Sequence, residues 1–194
     1  MKGITLSFDD GPDPEFTPKI LSILRDKKIK AAFFVIGRKA EQHPEILSTI
    51  YKDGHVIANH SYEHSRSIGF WGINKLASDI GMCSKIIERI IGEKPLFFRP
   101  PFGVTNPRYS IVLKKLGLIS IGWTARSFDT VTASKNRLSK RVKKSIKTGA
   151  ILLFHDSQEI TTEVLPDIIE YCKTNNIKIV PLHELINQSP YETK

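Results

Sequence analysis

Short apolar, β-branched-rich runs recur along the chain at residues 4–8, 31–36, 55–58, 96–98, 118–123, 150–154 and 177–180, each the length of a buried strand. Segments of helical period lie between them. Residues 15–28 bring Ile20, Leu21 and Leu24 to one face, with Pro18 in the first turn. Residues 73–91 repeat Leu76, Ile80, Cys83, Ile87 and Ile90, then stop at Gly92. Residues 163–175 repeat Val164, Ile168, Ile169 and Cys172. Strands alternating with helices of this length predict a parallel sheet covered by helices, either a barrel or an open doubly wound sheet. The first run is not followed by GxGxxG, which removes the best support for a dinucleotide-binding version.

The 194 residues suit one domain, expected over residues 1–187, with a frayed tail at 188–194. A domain of this size folds without disulfides. Cys83 and Cys172 lie far apart, in no metal-binding spacing, and are expected as free buried thiols. No apolar run reaches the roughly 20 residues that span a bilayer. No signal-peptide pattern precedes the first strand, so the expectation is a cytoplasmic protein, or an extracytoplasmic one whose export segment has been removed. The net charge of +9 raises the question of nucleic acid. The densest basic stretch, residues 135–147, places Lys140, Lys143, Lys144 and Lys147 at helical spacing with no aromatic residues to stack bases. A solvated helix face, or attraction to an anionic polymer such as cell wall, is expected there instead.

Polar residues collect where the predicted strands end. Asp9 and Asp10 close the first, His60 and His64 follow the third, Arg99 ends the fourth, Trp123 the fifth and His155 the sixth. Parallel strands carry their carboxyl ends on one face, where loops build sites. Five separate segments therefore deliver chemistry to one place.

Each segment also has a plainer reading. Asp9 and Asp10 repel one another unless a cation or proton intervenes, and Gly11-Pro12 turns the chain so that both can face one pocket; an ordinary acidic turn would look alike. Histidines at i and i+4, as in His60-Ser61-Tyr62-Glu63-His64, share one face of a helix and can bind one ion. With Asp10 they make three protein ligands and leave a position for water. HSYEH also fits the inverted zinc-peptidase pattern, with Glu63 as general base, so a peptidase stays open. Arg99 has a planar fork suited to a carboxylate, and freed backbone N–H groups in the following Pro-Pro-Phe-Gly turn could hold an oxyanion. His155 stands at the functional end of its strand, where an acid–base role is natural.

SFDDGP and HSYEH in that order, reinforced by RPPFG and LLFHD, resemble the polysaccharide deacetylases, the NodB-like domain of carbohydrate esterase family four, over residues 4 to about 185. The resemblance implies a distorted (β/α)7 barrel, shorter than the roughly 250 residues of an eightfold one. It implies Asp9 as catalytic base, Arg99 holding that base, and His155 as general acid. Asp10, His60 and His64 match the ligands of one divalent ion, zinc first, with cobalt or manganese as alternatives. The backbone N–H of Phe102 matches the oxyanion donor, and Trp123 and Leu153 the walls of the acetyl pocket. The implied substrate is an N-acetylated glycan, peptidoglycan or a chitin-like oligosaccharide, releasing acetate. Nucleic acid is not an expected partner.

One stretch departs from the family. Arg126 stands where an aspartate is expected three residues after the tryptophan, Asp129 is kept, and Thr130 replaces a second tryptophan. A cation beside His155 would lower its pKa, so Asp129 or Asp156 becomes the candidate to orient that histidine. Deacylation of a non-sugar substrate such as a small cyclic imide, or an inactive glycan-binding domain, are the alternatives.

Overall fold

The computed structural model describes residues 3–192. Seven parallel strands form one sheet: β1 (Thr5–Asp9), β2 (Ala32–Val35), β3 (Val56–Asn59), β4 (Phe97–Phe98), β5 (Ile119–Ser120), β6 (Ala125–Arg126) and β7 (Ile151–His155). Their order is β5-β4-β3-β2-β1-β7-β6, the cyclic order of a barrel cut once, between β5 and β6. The sheet curls into the distorted (β/α)7 barrel. Helices α1 (Phe16–Asp26), α2 (Gly37–Gln42), α3 (Pro44–Lys52), α4 (Ile73–Ile91), α5 (Pro107–Leu116), α6 (Lys135–Ser145), α7 (Glu159–Thr174) and α8 (Leu182–Ile186) complete it. No helix among the described residues is long and apolar enough to cross a membrane.

Strand alternation decides what faces the helices and what faces inward. Leu6, Phe8, Phe33, Val35, Ile57, Leu152 and Phe154 join the helix-facing core, where Cys83 and Cys172 also lie as free thiols. Phe8 and Phe33 stack there at 5.0 Å, each such buried side chain contributing about 1.5–3 kcal/mol. Ala32, Phe34, Val56, Ala58 and Phe97 form a separate inner cluster. The inward parity of β1 and β7 thus belongs to Ser7, Asp9, Leu153 and His155, and continued past β3 and β4 it reaches His60 and Arg99.

Three sequence expectations need correction. Residues 177–180 make an isolated bridge, Ile4 to Ile179, rather than a sheet strand; Ile4 precedes β1, and the partners of Ser7 to Asp9 on β1 are already β2 and β7. The seventh strand is instead the two-residue β6, while residues 118–123 shorten to β5 and an extended run. The tail is not frayed over 188–192: Leu96 N–H donates to Pro190 O at 2.8 Å, and Ile57 N–H to the Tyr191 hydroxyl at 2.9 Å. Residues 193–194 lie outside the described residues.

Candidate active site

Asp10, His60 and His64 each offer a ligand atom, and these atoms lie within 4.8 Å of one another. His64 Nε2 is 3.3 Å from Asp10 Oδ1, and His60 Nε2 is 3.6 Å from the same oxygen. The histidines do not meet on a helix face. Residues 60–64 are irregular, with Ser61 and His64 at φ 69° and 51°, so a loop converges what a helix was expected to align.

That loop is tied on three sides. Asn59, of outward parity, bonds Ile80 O and Ser84 on α4 and accepts the Ser61 N–H at 2.8 Å. Asp79 of α4 accepts the N–H groups of Tyr62 and Glu63 at 3.0 and 2.9 Å. The first two N–H groups of α2 donate to Ser61 O and Tyr62 O. The sequence reading missed Asn59 and Asp79. A carboxylate inside the apolar stripe Leu76–Ile80–Cys83 was the signal for the second. Lys39 Nζ, bonded to Asp10 O at 2.8 Å, steadies the other ligand turn, where Asp10 has φ 75°.

The donors suit a divalent ion. His60 Nδ1 lies 2.7 Å from Arg99 O, which fixes its proton there and leaves Nε2 as the lone-pair donor toward Asp10. Burial pulls the His60 pKa down to about 3 and lowers that of His64, keeping both rings neutral as ligation requires.

Asp9 is buried beside this cradle, 3.7 Å from His60 Nε2. Its Oδ1 accepts from Arg99 Nη1 at 2.6 Å. Arg99 is fully buried, bonds Ser7 Oγ, Ile121 O and Gly122 O, and lies 3.8 Å over the Phe34 ring. Burial pushes the Asp9 pKa up while the Arg99 cation opposes it. Across the cavity, His155 Nδ1 meets Asp129 Oδ1 at 2.7 Å, and Asp129 Oδ2 accepts both the His155 N–H and the Thr161 hydroxyl. Burial draws the His155 pKa down, but the Asp129 hydrogen bond and the charges of Asp129, Asp10 and Asp9 outweigh it, and the value is raised.

Asp129 therefore holds His155, and neither other candidate does. Asp156 accepts instead from Thr17 Oγ1 at 2.7 Å, and burial pushes its pKa up to about 7. It braces the first turn so closely that a Cβ on Gly11 would fall 2.0 Å from its carboxylate. Arg126 has no hydrogen bond or ion pair to His155 among the described residues; its guanidinium lies 5.2 Å from the Phe128 ring.

Asp9, Asp10, His60, His64, Phe102, Gly103, Trp123, Arg126, Thr130, Leu153 and His155 line one cavity of about 220 Å³. Phe102 has φ 59°, and its N–H donates to no protein acceptor among the described residues. A methyl on Gly103, at φ 70°, would come within 2.4 Å of the Trp123 ring, so only glycine lets that ring form the wall. Glu63, the base of a peptidase reading, is exposed and absent from the cavity lining. Glu63→Gln is accordingly expected to leave any hydrolytic turnover close to wild type, since the side chain lies outside the cavity. Loss of turnover in that variant would restore the peptidase reading.

Comparison with known proteins agrees with this geometry. A family model described as polysaccharide deacetylase matches residues 1–121. A Bacillus cereus peptidoglycan-N-acetylglucosamine deacetylase is 33% identical over 190 residues, covering 95% of this chain and 88% of that protein. The crystal structure of a peptidoglycan N-acetylglucosamine deacetylase bound to an N-hydroxybenzamide superposes with a TM-score of 0.92 at 29% identity, covering 99% and 94% of the two chains. A Bacillus anthracis pseudoenzyme of carbohydrate esterase family four superposes at 0.90 with 26% identity, covering 98% and 68%. The matched motifs, the cut (β/α)7 barrel and these relatives together make the chain a member of the polysaccharide deacetylase family.

Proposed function

We propose that the protein is a metal-dependent N-deacetylase of a glycan, peptidoglycan or a chitin-like oligosaccharide, releasing acetate. The observation that carries this reading is the meeting of Asp10, His60 and His64 in one cavity with a second carboxylate, Asp9, and an Asp129-held histidine.

In this reading Asp10, His60 and His64 hold one divalent ion. Zinc suits a carboxylate with two imidazoles, and cobalt or manganese accept the same ligands. When bound, such an ion supplies Lewis acidity, drawing charge from an amide carbonyl and acidifying water. Asp9 takes the proton of the attacking water, with Arg99 orienting its carboxylate and keeping it ionised. The Phe102 N–H donates to the oxygen that gains charge; losing such a donor typically costs about 100- to 1000-fold in kcat. His155 protonates the departing amine nitrogen. Trp123 and Leu153 wall in the acetyl methyl.

The direct test is acetate release from N-acetylglucosamine oligomers and from peptidoglycan, with and without a chelator. Release abolished by chelator and restored by added metal supports the reading. No release from either glycan, with intact binding, would favour an inactive glycan-binding domain; release only from a small cyclic imide would favour the non-sugar alternative. Asp10→Ala is expected to lose bound metal and turnover together. Stoichiometric metal in that variant, measured by elemental analysis, would remove Asp10 from the ligand set.

The activity is expected to trace a bell against pH, because Asp9 acts deprotonated and His155 acts protonated. The acid limb falls as Asp9 gains its proton. The alkaline limb falls as His155 loses its own, above the ordinary histidine value because Asp129 raises it. Asp129→Asn removes that charge and should move the alkaline limb to lower pH. An unmoved alkaline limb would detach His155 from it.

A further inference from the structure

Asp129 holds the His155 ring, yet the segment that carries Asp129 is loosely tied. Residues 127–134 are turn and irregular chain between β6 and α6, where Phe128 takes φ 64° and Val131 is exposed. A hollow of about 490 Å³ opens between residues 129–133 and the start of α7, so close packing does not fix the segment there. One buried hydroxyl crosses to it: Thr161, in the first turn of α7, donates to Asp129 Oδ2 at 2.7 Å. Among the described residues this is the only hydrogen bond between residues 127–134 and α7. The segment's other outside ties are Ser127 N–H to Leu153 O at 3.0 Å and Arg141 Nη1 to Thr132 Oγ1 at 3.4 Å, neither of them at the carboxylate. The His155 backbone N–H shares Oδ2 with Thr161, at 2.7 Å, and the ring Nδ1 faces Oδ1. Held at Oδ2 by that N–H alone, the carboxylate could swivel about one bond and carry Oδ1 away from the ring. A second donor on the same oxygen fixes its plane.

We propose that Thr161 is a positioning residue for proton delivery: its hydroxyl fixes the plane of the Asp129 carboxylate and, through it, the aim of His155 Nε2 at the departing nitrogen. As the amide C–N bond breaks, its electron pair passes to nitrogen, which takes the Nε2 proton. The ring is left neutral, with its Nδ1 proton still donated to Asp129. A misaimed ring slows this step and leaves the attack of water, served by Asp9, untouched. A leaving group that departs as a stable anion needs no such proton. The inference rests on the deacetylase reading and adds a residue to its proton delivery.

The test sets Thr161→Val, which lacks the hydroxyl, beside Thr161→Ser, which keeps it. On N-acetylglucosamine oligomers the valine variant is expected to lose about 10- to 100-fold in kcat, part of what a positioned acid contributes, with KM little changed. On 4-nitrophenyl acetate, whose phenolate leaves unprotonated, it should match the native protein, which also reports an intact fold. Serine should restore amide turnover. In the ¹⁵N-labelled protein, the His155 Nδ1–H proton should resonate far downfield in the native and serine forms and be lost or shifted upfield in the valine form. Equal losses on amide and ester, an amide kcat within about twofold of native, no rescue by serine, or a Nδ1–H signal absent from the native protein or unmoved by valine would each overturn the role of Thr161. No acetate from the native protein on any glycan would sink the deacetylase reading instead, and the Nδ1–H signal would still decide whether Thr161 anchors the pair.

Discussion

Asp9→Asn is expected to lower kcat by about 100- to 10,000-fold, the usual range for removing a positioned general base, with the bound metal retained. Asparagine keeps the shape of the side chain and one oxygen for Arg99 Nη1, now 2.6 Å away, but cannot take a proton at neutral pH. In the proposed reading the ion is held by Asp10, His60 and His64, so its occupancy separates loss of the base from loss of the ion. Steady-state kinetics beside elemental analysis make the measurement. A kcat within tenfold of wild type would assign the proton to another group.

Arg99→Met is expected to remove activity and also to destabilise the fold by about 3–5 kcal/mol, because it strands a buried carboxylate. Arg99 is fully buried, and its four hydrogen bonds reach β1 and the chain after β5. Denaturant unfolding reads the loss. Combining Arg99→Met with Asp9→Asn should recover part of it, since no unpaired charge remains, and the double-mutant cycle isolates the coupling. A single variant costing under about 1 kcal/mol would mean that the pair is solvated.

Much of this site was legible because its residues sit at strand ends, where an apolar run gives way to Asp, His or Arg. The helix over Ile73–Ile91 was legible for a similar reason: a clean apolar stripe ending at Gly92, which takes φ 78°. What failed was short or non-local. β6 is two residues, Ala125 and Arg126, set among polar neighbours, and it pairs with β7 rather than announcing itself by a hydrophobic run. Residues 177–180 have the composition of a strand, but they bridge only Ile4, before β1 begins, while β2 and β7 flank Ser7 to Asp9. The spacing of His60 and His64 was right for convergence and wrong about its cause, because Asn59 and Asp79 fold the segment into a loop. Sequence also left open which carboxylate steadies His155. Asp129 and Asp156 both lie close to it along the chain or in motif, and only the pairing geometry chooses Asp129.

The open seam between β5 and β6 has one further consequence. Among the described residues no strand closes the barrel there, and the Arg99 guanidinium reaches across the lumen from the Ile121 and Gly122 carbonyls to Ser7 and Asp9. It acts as a strut, so wall integrity and the aim of the reactive carboxylate are one mechanical element. Drift at either end of that span would be transmitted to the other, leaving evolution little room to retune the chemistry without first rebuilding the wall.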